Sequence, residues 1–540
     1  MPPVAEEQRA EKDGVGTQHI DTFEQVSAPP SREYMGWQFA GILLSVSLGF
    51  YAAILGTFPS WNLLSPISTT IPRVIGQDPP FRWAFPTLLL CQSASALLFG
   101  RASDLVGRRW IFIGGNTLSF VGFLACSRAA ESTTISAMVG LGTGIQLMGP
   151  FSALAELVPP QHRFTIVGIS MALLAPLLAM VPAISLALVT ETKEGWRWNY
   201  AINAILSFVS AALLSISYRA PTVPPHMLDH RPNTMPPKKA WIGLIVFVIS
   251  CSVLTYSLLW GGNTFDAFYG ARFHTPGRSI FRDVGNIAQI HIAGQISLLL
   301  WFLPSAQQLV FTIIMGETGM KAAWHETCYY AGLTAGFILA SIALLRPRGL
   351  KWHLAASVAV CMVFLCALAG INTTKHETML AFSTLIGIGQ GYAMVVSHVV
   401  APMTAGKSNL GFVAGVIVGF RNLNYSVLNA ILFALFTPRF TDRLQTLVTQ
   451  AALEGGLPSS SLPALMEQIQ VTIASGDPTA LLTVPGISLG VLGAVQEAVA
   501  RAATEAFRFI LLITEVYAIP LLVIAILAPN TDMVLKPDDE

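Results

Sequence analysis

Gly100-Arg101-Ala102-Ser103-Asp104-Leu105-Val106-Gly107-Arg108-Arg109 joins two long apolar runs. It carries a glycine at each end, one internal aspartate and paired arginines. Similar apolar runs recur along the whole chain, and each approaches the roughly 20 residues that a membrane span needs. Hydrophobic residues make up 53% of the 540 and charged residues 11%. Mean hydropathy is +0.59. A soluble domain carries about 25% charged residues, so most of this surface cannot face water. The composition predicts an all-α polytopic membrane protein embedded in a lipid bilayer.

The N-terminal spans are expected at 38–61, 83–100, 110–127, 134–155, 163–189 and 198–218. A further helix is expected at 240–260. The C-terminal spans follow at 285–314, 326–345, 352–371, 378–402, 408–436 and 507–528. Residues 1–36 are polar and proline-containing and read as a disordered cytoplasmic tail. They lack a signal-peptide pattern. Residues 37–218 form an N-terminal six-helix unit, 219–283 a cytoplasmic linker with the 240–260 helix, 284–530 a C-terminal six-helix unit, and 531–540 a cytoplasmic tail. The segment 437–506 is expected outside the cell and partly helical. Ser461 before Leu462-Pro463 gives it a helix-start signal.

Basic loops favour the cytoplasmic side. Arg101, Arg108 and Arg109 form one, His162-Arg163 another, and the central linker follows the same parity. Arg346, Arg348 and Lys351 form the equivalent loop of the second half. A single crossing at 240–260 would place that loop outside, against the charge rule. Between Asn263 and Arg272 only about ten residues remain, too few for another spanning helix. The expectation is thirteen helices, one linker helix fewer than a pair, with 240–260 displaced at the bundle edge.

Net charge is +1, which gives no case for nucleic acid. The cysteines Cys91, Cys126, Cys251, Cys328, Cys361 and Cys366 show no CxxC spacing and read as small core residues. No metal site and no cofactor is expected. His325-Glu326 and His376-Glu377 each lack the second histidine of a zinc-protease helix, and no phosphate-cradling loop is present. No enzymatic chemistry is expected.

In the opening stretch, Asp104 is expected beside the N-terminus of the third span, where a carboxylate gains from the helix dipole. Arg108 and Arg109 can pair with it or with nearby acidic helix ends. Gly100, Asp104, Gly107, Arg108 and Arg109 therefore read as a conformational latch, with Glu156 and Arg163 a second part of it. In the fourth span, Gly140 and Gly144 permit close helix packing. Gln146 lies at mid-span depth, where an amide either faces a cavity or bonds a neighbouring helix. Prolines 176 and 182 predict a kinked fifth span. His291 and Gln295 share one helical face. Arg421 and Asn424 lie within 408–436, and an arginine at depth needs a cavity or a partner at a cost of about 3 kcal/mol. Gln146, His291, Gln295, His398, Arg421 and Asn424 are the candidate substrate-binding residues. Glu515 is the candidate proton carrier.

The 100–109 motif resembles the signature loop of the major facilitator superfamily of secondary transporters. Glu156-Leu157-Val158-Pro159 with Arg163, Gly195-Trp196-Arg197-Trp198-Asn199-Tyr200, and Trp260-Gly261-Gly262-Asn263 narrow the resemblance to the fungal trichothecene-efflux branch. That branch is similar to fourteen-helix drug–proton antiporters and siderophore-iron transporters. Ser136 stands where the superfamily often has an arginine, and Ala175-Pro176 where its exporters show glycine-proline. The resemblance implies two six-helix bundles about a pseudo-two-fold axis with a site between them at mid-membrane. It implies a monomer exporting a small hydrophobic metabolite, toxin or drug in exchange for protons, in the plasma membrane or, alternatively, the vacuolar membrane. A siderophore-iron transporter, and a non-transporting sensor or decayed paralogue, are the alternatives.

Overall fold

The computed structural model describes residues 36–62, 81–128, 133–192, 195–218, 320–370, 376–404, 410–475 and 478–528. Their regular elements are helices, as lipid requires of a spanning segment that must satisfy its own backbone. In order they are α1 (Trp37–Asn62), α2 (Phe81–Val106), α3 (Arg108–Arg128) and α4 (Thr133–Leu157). The next span is broken into α5 (Arg163–Ala172), α6 (Ala175–Ala179) and α7 (Val181–Glu191). Then come α8 (Gly195–Ser217), α9 (Met320–Ala343), α10 (Leu350–Ala369), α11 (His376–Thr404), α12 (Leu410–Glu454), α13 (Leu462–Ser475) and α14 (Leu489–Leu527). The expected helices 240–260 and 285–314, the 219–283 linker and both tails lie outside the described residues, and so does the count of thirteen. The other expected spans each coincide with a described helix or, for 163–189, with the broken one.

Prolines explain the broken span. Pro176 and Pro182 each occupy the first turn of a new short helix, α6 and α7. Proline is tolerated there because its missing N–H would have no partner anyway.

The two halves repeat one packing scheme. α2 runs parallel to α4, and Gly140 and Gly144 of α4 abut the backbone of Leu88 and Gln92. The counterpart is α9 beside α11, where Gly332 abuts Thr384 and Gly391 abuts Leu333. At each site a β-carbon would collide with backbone, so small residues set the distance. α3 against α8 is likewise matched by α10 against α14, and α3–α4 by α10–α11. Across the halves, α2 packs on α12 and α5–α7 on α9. These pairs exchange under the same two-fold.

Composition follows that geometry. Among the described residues seven helices are long and apolar enough to cross a membrane on composition alone: α1, α3, α4, α8, α10, α11 and α14. The spans outside that set are α2, α5–α7, α9 and α12, the ones that meet across the halves. They carry Gln92, Ser93, Gly168, Glu326, Gly411, Gly415 and Asn422 where a lipid-facing helix carries aliphatic side chains.

Two boundaries differ from expectation. The 100–109 stretch is mostly helix, because α2 continues to Val106. Gly107 alone breaks the chain, at φ +106°. The 437–506 segment is built by extending the spans. α12 runs 45 residues, about 68 Å at 1.5 Å per residue, well beyond a 30 Å hydrocarbon core. α14 starts at Leu489 rather than near residue 507. Leu444, Val448, Leu465, Ile469, Val491 and Val495 close a separate apolar core among these extensions and α13. Arg443 and Glu505 pair at 3.1 Å across it. α13 begins directly after Ser461, so the expected helicity is present. A tag inserted at Gly455-Gly456, where Gly456 turns the chain at φ +87°, should be reached by antibody on intact cells. Labelling only after permeabilisation would reverse the orientation that the charges predict.

Candidate functional site: a latch and a polar chain between the halves

Asp104 is positioned by the end of α2. It does not serve α3, whose first residue lies beyond the Gly107 turn. Its carboxylate crosses to the other half and accepts from the first backbone N–H groups of α12: Gly411 at 2.9 Å and Phe412 at 2.8 Å. Those N–H groups have no partner within their own helix, and the positive end of the dipole points at the carboxylate. The expected helix-dipole contact is therefore real, but the helix is α12 of the opposite half.

Arg108 holds Asp104 from behind. One terminal nitrogen donates to the Asp104 carboxylate at 3.1 Å. The other pairs with Glu156 at 2.8 Å and donates to the Ser152 carbonyl. Tyr218 also donates to Glu156. Arg109 donates to the Ser215 carbonyl. Arg163 donates through Nε to the Val158 carbonyl and feels the Glu156 charge, while the direct ion pair of Glu156 is with Arg108. Gly100 lets the backbones meet: a β-carbon there would lie 2.7 Å from the Gly411 oxygen and 2.9 Å from the Gly415 α-carbon. Thr165 donates to Ser341, and Gly168 abuts the same residue. Both cross-half pairs are thus closed on the side that carries the basic loops. Tyr218 and the end of α9 share that side, and Met320 lies at the opposite one.

A second arrangement runs from this closed side to mid-membrane. Gln92 of α2 donates to Thr143 of α4 at 2.9 Å and to Thr57 of α1 at 3.3 Å. Its oxygen accepts from Asn422 of α12 at 3.2 Å. The Asn422 oxygen in turn accepts from Arg421 Nε at 3.2 Å. Ser93 donates to the Gly419 carbonyl across the same boundary. His398 of α11 is fully buried with its ring 4.7 Å from that of Phe151 in α4. Its Nδ1 bonds Ser397 Oγ, and Arg421 is the charged group that acts on it. His398 and Arg421 are therefore brought together where the halves touch.

The other candidates divide. Gln146 lies within the N-terminal bundle, donating to Asn116 at 2.9 Å and Ser207 at 3.1 Å. Of its two readings, bonding between helices is the one observed. Asn424 is half-buried on α12. Glu515 is buried on α14 and faces Cys366 of α10, away from the junction of the halves. His291 and Gln295 lie outside the described residues. Cys91, Cys126, Cys328, Cys361 and Cys366 are free thiols. Among the described residues no cluster could hold a metal.

Three residues escaped the sequence reading. Gln92 and Asn422 are amides in apolar helices, and depth alone gave them no distinction. Glu326 was placed at the outer edge of its span. α9 in fact starts two turns earlier, at Met320, which leaves Glu326 only 2% exposed. Its neighbour is Tyr330, which Tyr329 and Tyr425 also approach. One Glu326 oxygen has no hydrogen-bond partner among the described residues.

A family model described as Major Facilitator Superfamily matches residues 49–429. The chain is 24% identical over 451 residues to the trichothecene efflux pump TRI12 of Fusarium sporotrichioides, covering 77% of this chain and 74% of the relative. It is 23% identical over 540 residues to the TRI12 pump of Trichoderma arundinaceum, covering 92% and 87%. It is 22% identical over 486 residues to the MFS-type transporter TOXA of Cochliobolus carbonum, covering 82% and 87%. Among solved structures, a bacterial homolog of the human lysosomal transporter Spinster, inward-facing and unoccupied, superimposes with a TM-score of 0.54. That match is at 14% identity, over 95% of this chain and all of the other. It bears on fold alone.

Proposed function

The chain belongs to the Major Facilitator Superfamily, beside the fungal trichothecene efflux pumps, and on that premise we propose that it exports a small hydrophobic metabolite, toxin or drug across the plasma membrane, as a monomer, in exchange for protons. The single observation that carries the mechanism is the Asp104 carboxylate capping α12 across the two halves. A bond of that kind exists only while the basic side is closed. Breaking it opens that side to cargo, and remaking it commits the cargo to the other side. Arg108, paired with both Asp104 and Glu156, keeps the carboxylate aimed at α12. A complete latch favours a working transporter over a decayed paralogue. Export rather than uptake rests on the names of the relatives.

Cargo would meet the chain of Gln92, Asn422, Arg421 and His398, which ties α1, α2, α4, α11 and α12 together at the junction. Proton exchange needs a carboxyl group that can be neutral in one state and charged in another. Among the described residues two buried carboxyls lie outside the latch, Glu326 and Glu515. Glu515 sits on a peripheral helix pair. Glu326 sits on α9, which moves against α5–α7 if the halves rock, so it is the stronger candidate carrier. Glu326→Gln should leave expression and folding intact, since an amide fits the same space. It should abolish the dependence of efflux on an imposed proton gradient in inside-out vesicles. Efflux that still follows the gradient in Glu326→Gln but not in Glu515→Gln would return the role to Glu515. The export reading itself is tested by growth of a pump-deficient fungal host on toxic apolar metabolites, with and without the chain.

A further inference from the structure

We propose that Arg421, with Asn422 and His398 beside it, is a binding site for an ionised acidic group (carboxylate, phenolate or sulfate) on an otherwise apolar cargo. This rests on the export reading and narrows its substrate class.

Arg421 lies on α12, eleven residues after Leu410. At 1.5 Å per residue that is about 16 Å from the helix start, half of a 30 Å core. It is 2% exposed. A guanidinium stays charged in a protein and offers five donors. One of them, Nε, reaches Asn422. No carboxylate pairs with it among the described residues. The sequence shows that few could. Within the expected spans the chain has only Glu326 and Glu515, and residues 284–316 contain no acidic side chain. Asp104 and Glu156 are engaged by Arg108. Glu515 faces Cys366, and Glu326 lies beside Tyr330.

A buried charge without a counter-charge is costly and marks a functional position in a membrane. The cost falls when a ligand supplies the opposite charge. The geometry beside Arg421 suits such a ligand. His398 Nε2 is sealed from solvent without a hydrogen-bond partner among the described residues. With both ring nitrogens protonated each is a donor, and Nε2 then offers a second donor beside the guanidinium. Phe151, in contact with the His398 ring, supplies an apolar wall. The donors pair with the acid while the aromatic face meets the hydrophobic body. Asn422 and Gln92 carry the contact to α1, α2 and α4, so an occupied Arg421 is linked to both halves.

The test is thermal melting of the purified full chain with two matched probes, 1-pyrenebutyrate and 1-pyrenebutanol. They share one apolar body and differ in charge. Ligand that binds the folded state raises the melting temperature by mass action. Wild type should bind the carboxylate at least about tenfold more tightly than the alcohol, the scale of a close desolvated charge pair. Arg421→Gln should lose that preference. Arg421→Lys should keep part of it, because the charge remains while the fork is lost. Equal affinity for both probes in wild type, or a preference that survives Arg421→Gln, overturns the proposal. Should Arg421→Gln fail to fold, loss of the preference in His398→Phe, with the alcohol still bound, supports it and retention overturns it. Proteoliposome transport separates the two readings. Selective binding without export of either probe refutes export and leaves the acid site standing. Export of both with equal affinity does the reverse.

Discussion

Asp104→Asn is expected to reach the membrane at wild-type levels and to lose transport by about 10- to 100-fold. Two oxygens of Asp104 meet three donors: the N–H groups of Gly411 and Phe412, and Arg108. Asparagine has one oxygen and presents an NH2 group where the second oxygen stood. That group faces a donor and repels it. Charge-assisted hydrogen bonds contribute roughly 1.5–3 kcal/mol each, and about 1.4 kcal/mol is tenfold in a rate or population. The loss falls on one conformational state. The fold of each bundle does not use this contact, because α2 packs against α4, and α12 against α14, through other residues. The state closed on the basic side does use it, so the population shifts toward the state open there. Uptake of cargo into inside-out vesicles at matched protein level measures it. Wild-type efflux from Asp104→Asn would sink the latch.

The pairing of Asp104 with Arg108 was legible from the sequence because its chemistry is local. Gly100, Asp104, Gly107 and Arg108 stand within nine positions, and their spacing fixes which can share a helix end. What the sequence could not show was the partner. Gly411 and Phe412 contribute only backbone N–H groups, 307 and 308 residues away, and a backbone donor leaves no mark on residue identity. The same limit hid the roles of Arg109 and Arg163, which bond carbonyls. Arg421 and His398 stood out because a charge or an imidazole is rare in an apolar run. Gln92 and Asn422 did not, since an amide at depth reads alike whether it joins helices of one bundle, as Gln146 does, or of two. Helix ends misled for a simpler reason. Hydropathy reports where lipid stops, not where the backbone ladder stops. α2, α12 and α14 continue past the expected spans, and Glu326 entered the interior because α9 starts at Met320, before it.

Gly415→Val should jam the transporter with its basic side open. Gly415 of α12 lies against α2 at the closest approach of the two halves. A β-carbon there would collide with the Ala96 carbonyl and stand 2.9 Å from the Gly100 α-carbon. Both obstacles are backbone, so no side-chain rotation relieves them. Within a rigid core, overpacking of this kind typically costs about 1–3 kcal/mol. Here another response is open, since α2 and α12 belong to bundles that can move apart. The strain is relieved by separation, which favours the open state by about 5- to 150-fold and pulls Asp104 away from Gly411 as well. Transport should fall by a similar factor with insertion unchanged. In a cysteine-free background, Ser103→Cys reports the position directly. Ser103 is 1% exposed and its hydroxyl faces Gly411, so wild type should react slowly with an impermeant maleimide on inside-out vesicles. Adding Gly415→Val should speed that reaction severalfold. Gly114→Ala, at a site with open space around the added carbon, serves as the silent control. Unchanged labelling together with normal efflux in Gly415→Val would mean that the α2–α12 junction does not open during the cycle, and the alternating-access role of the latch would fall with it.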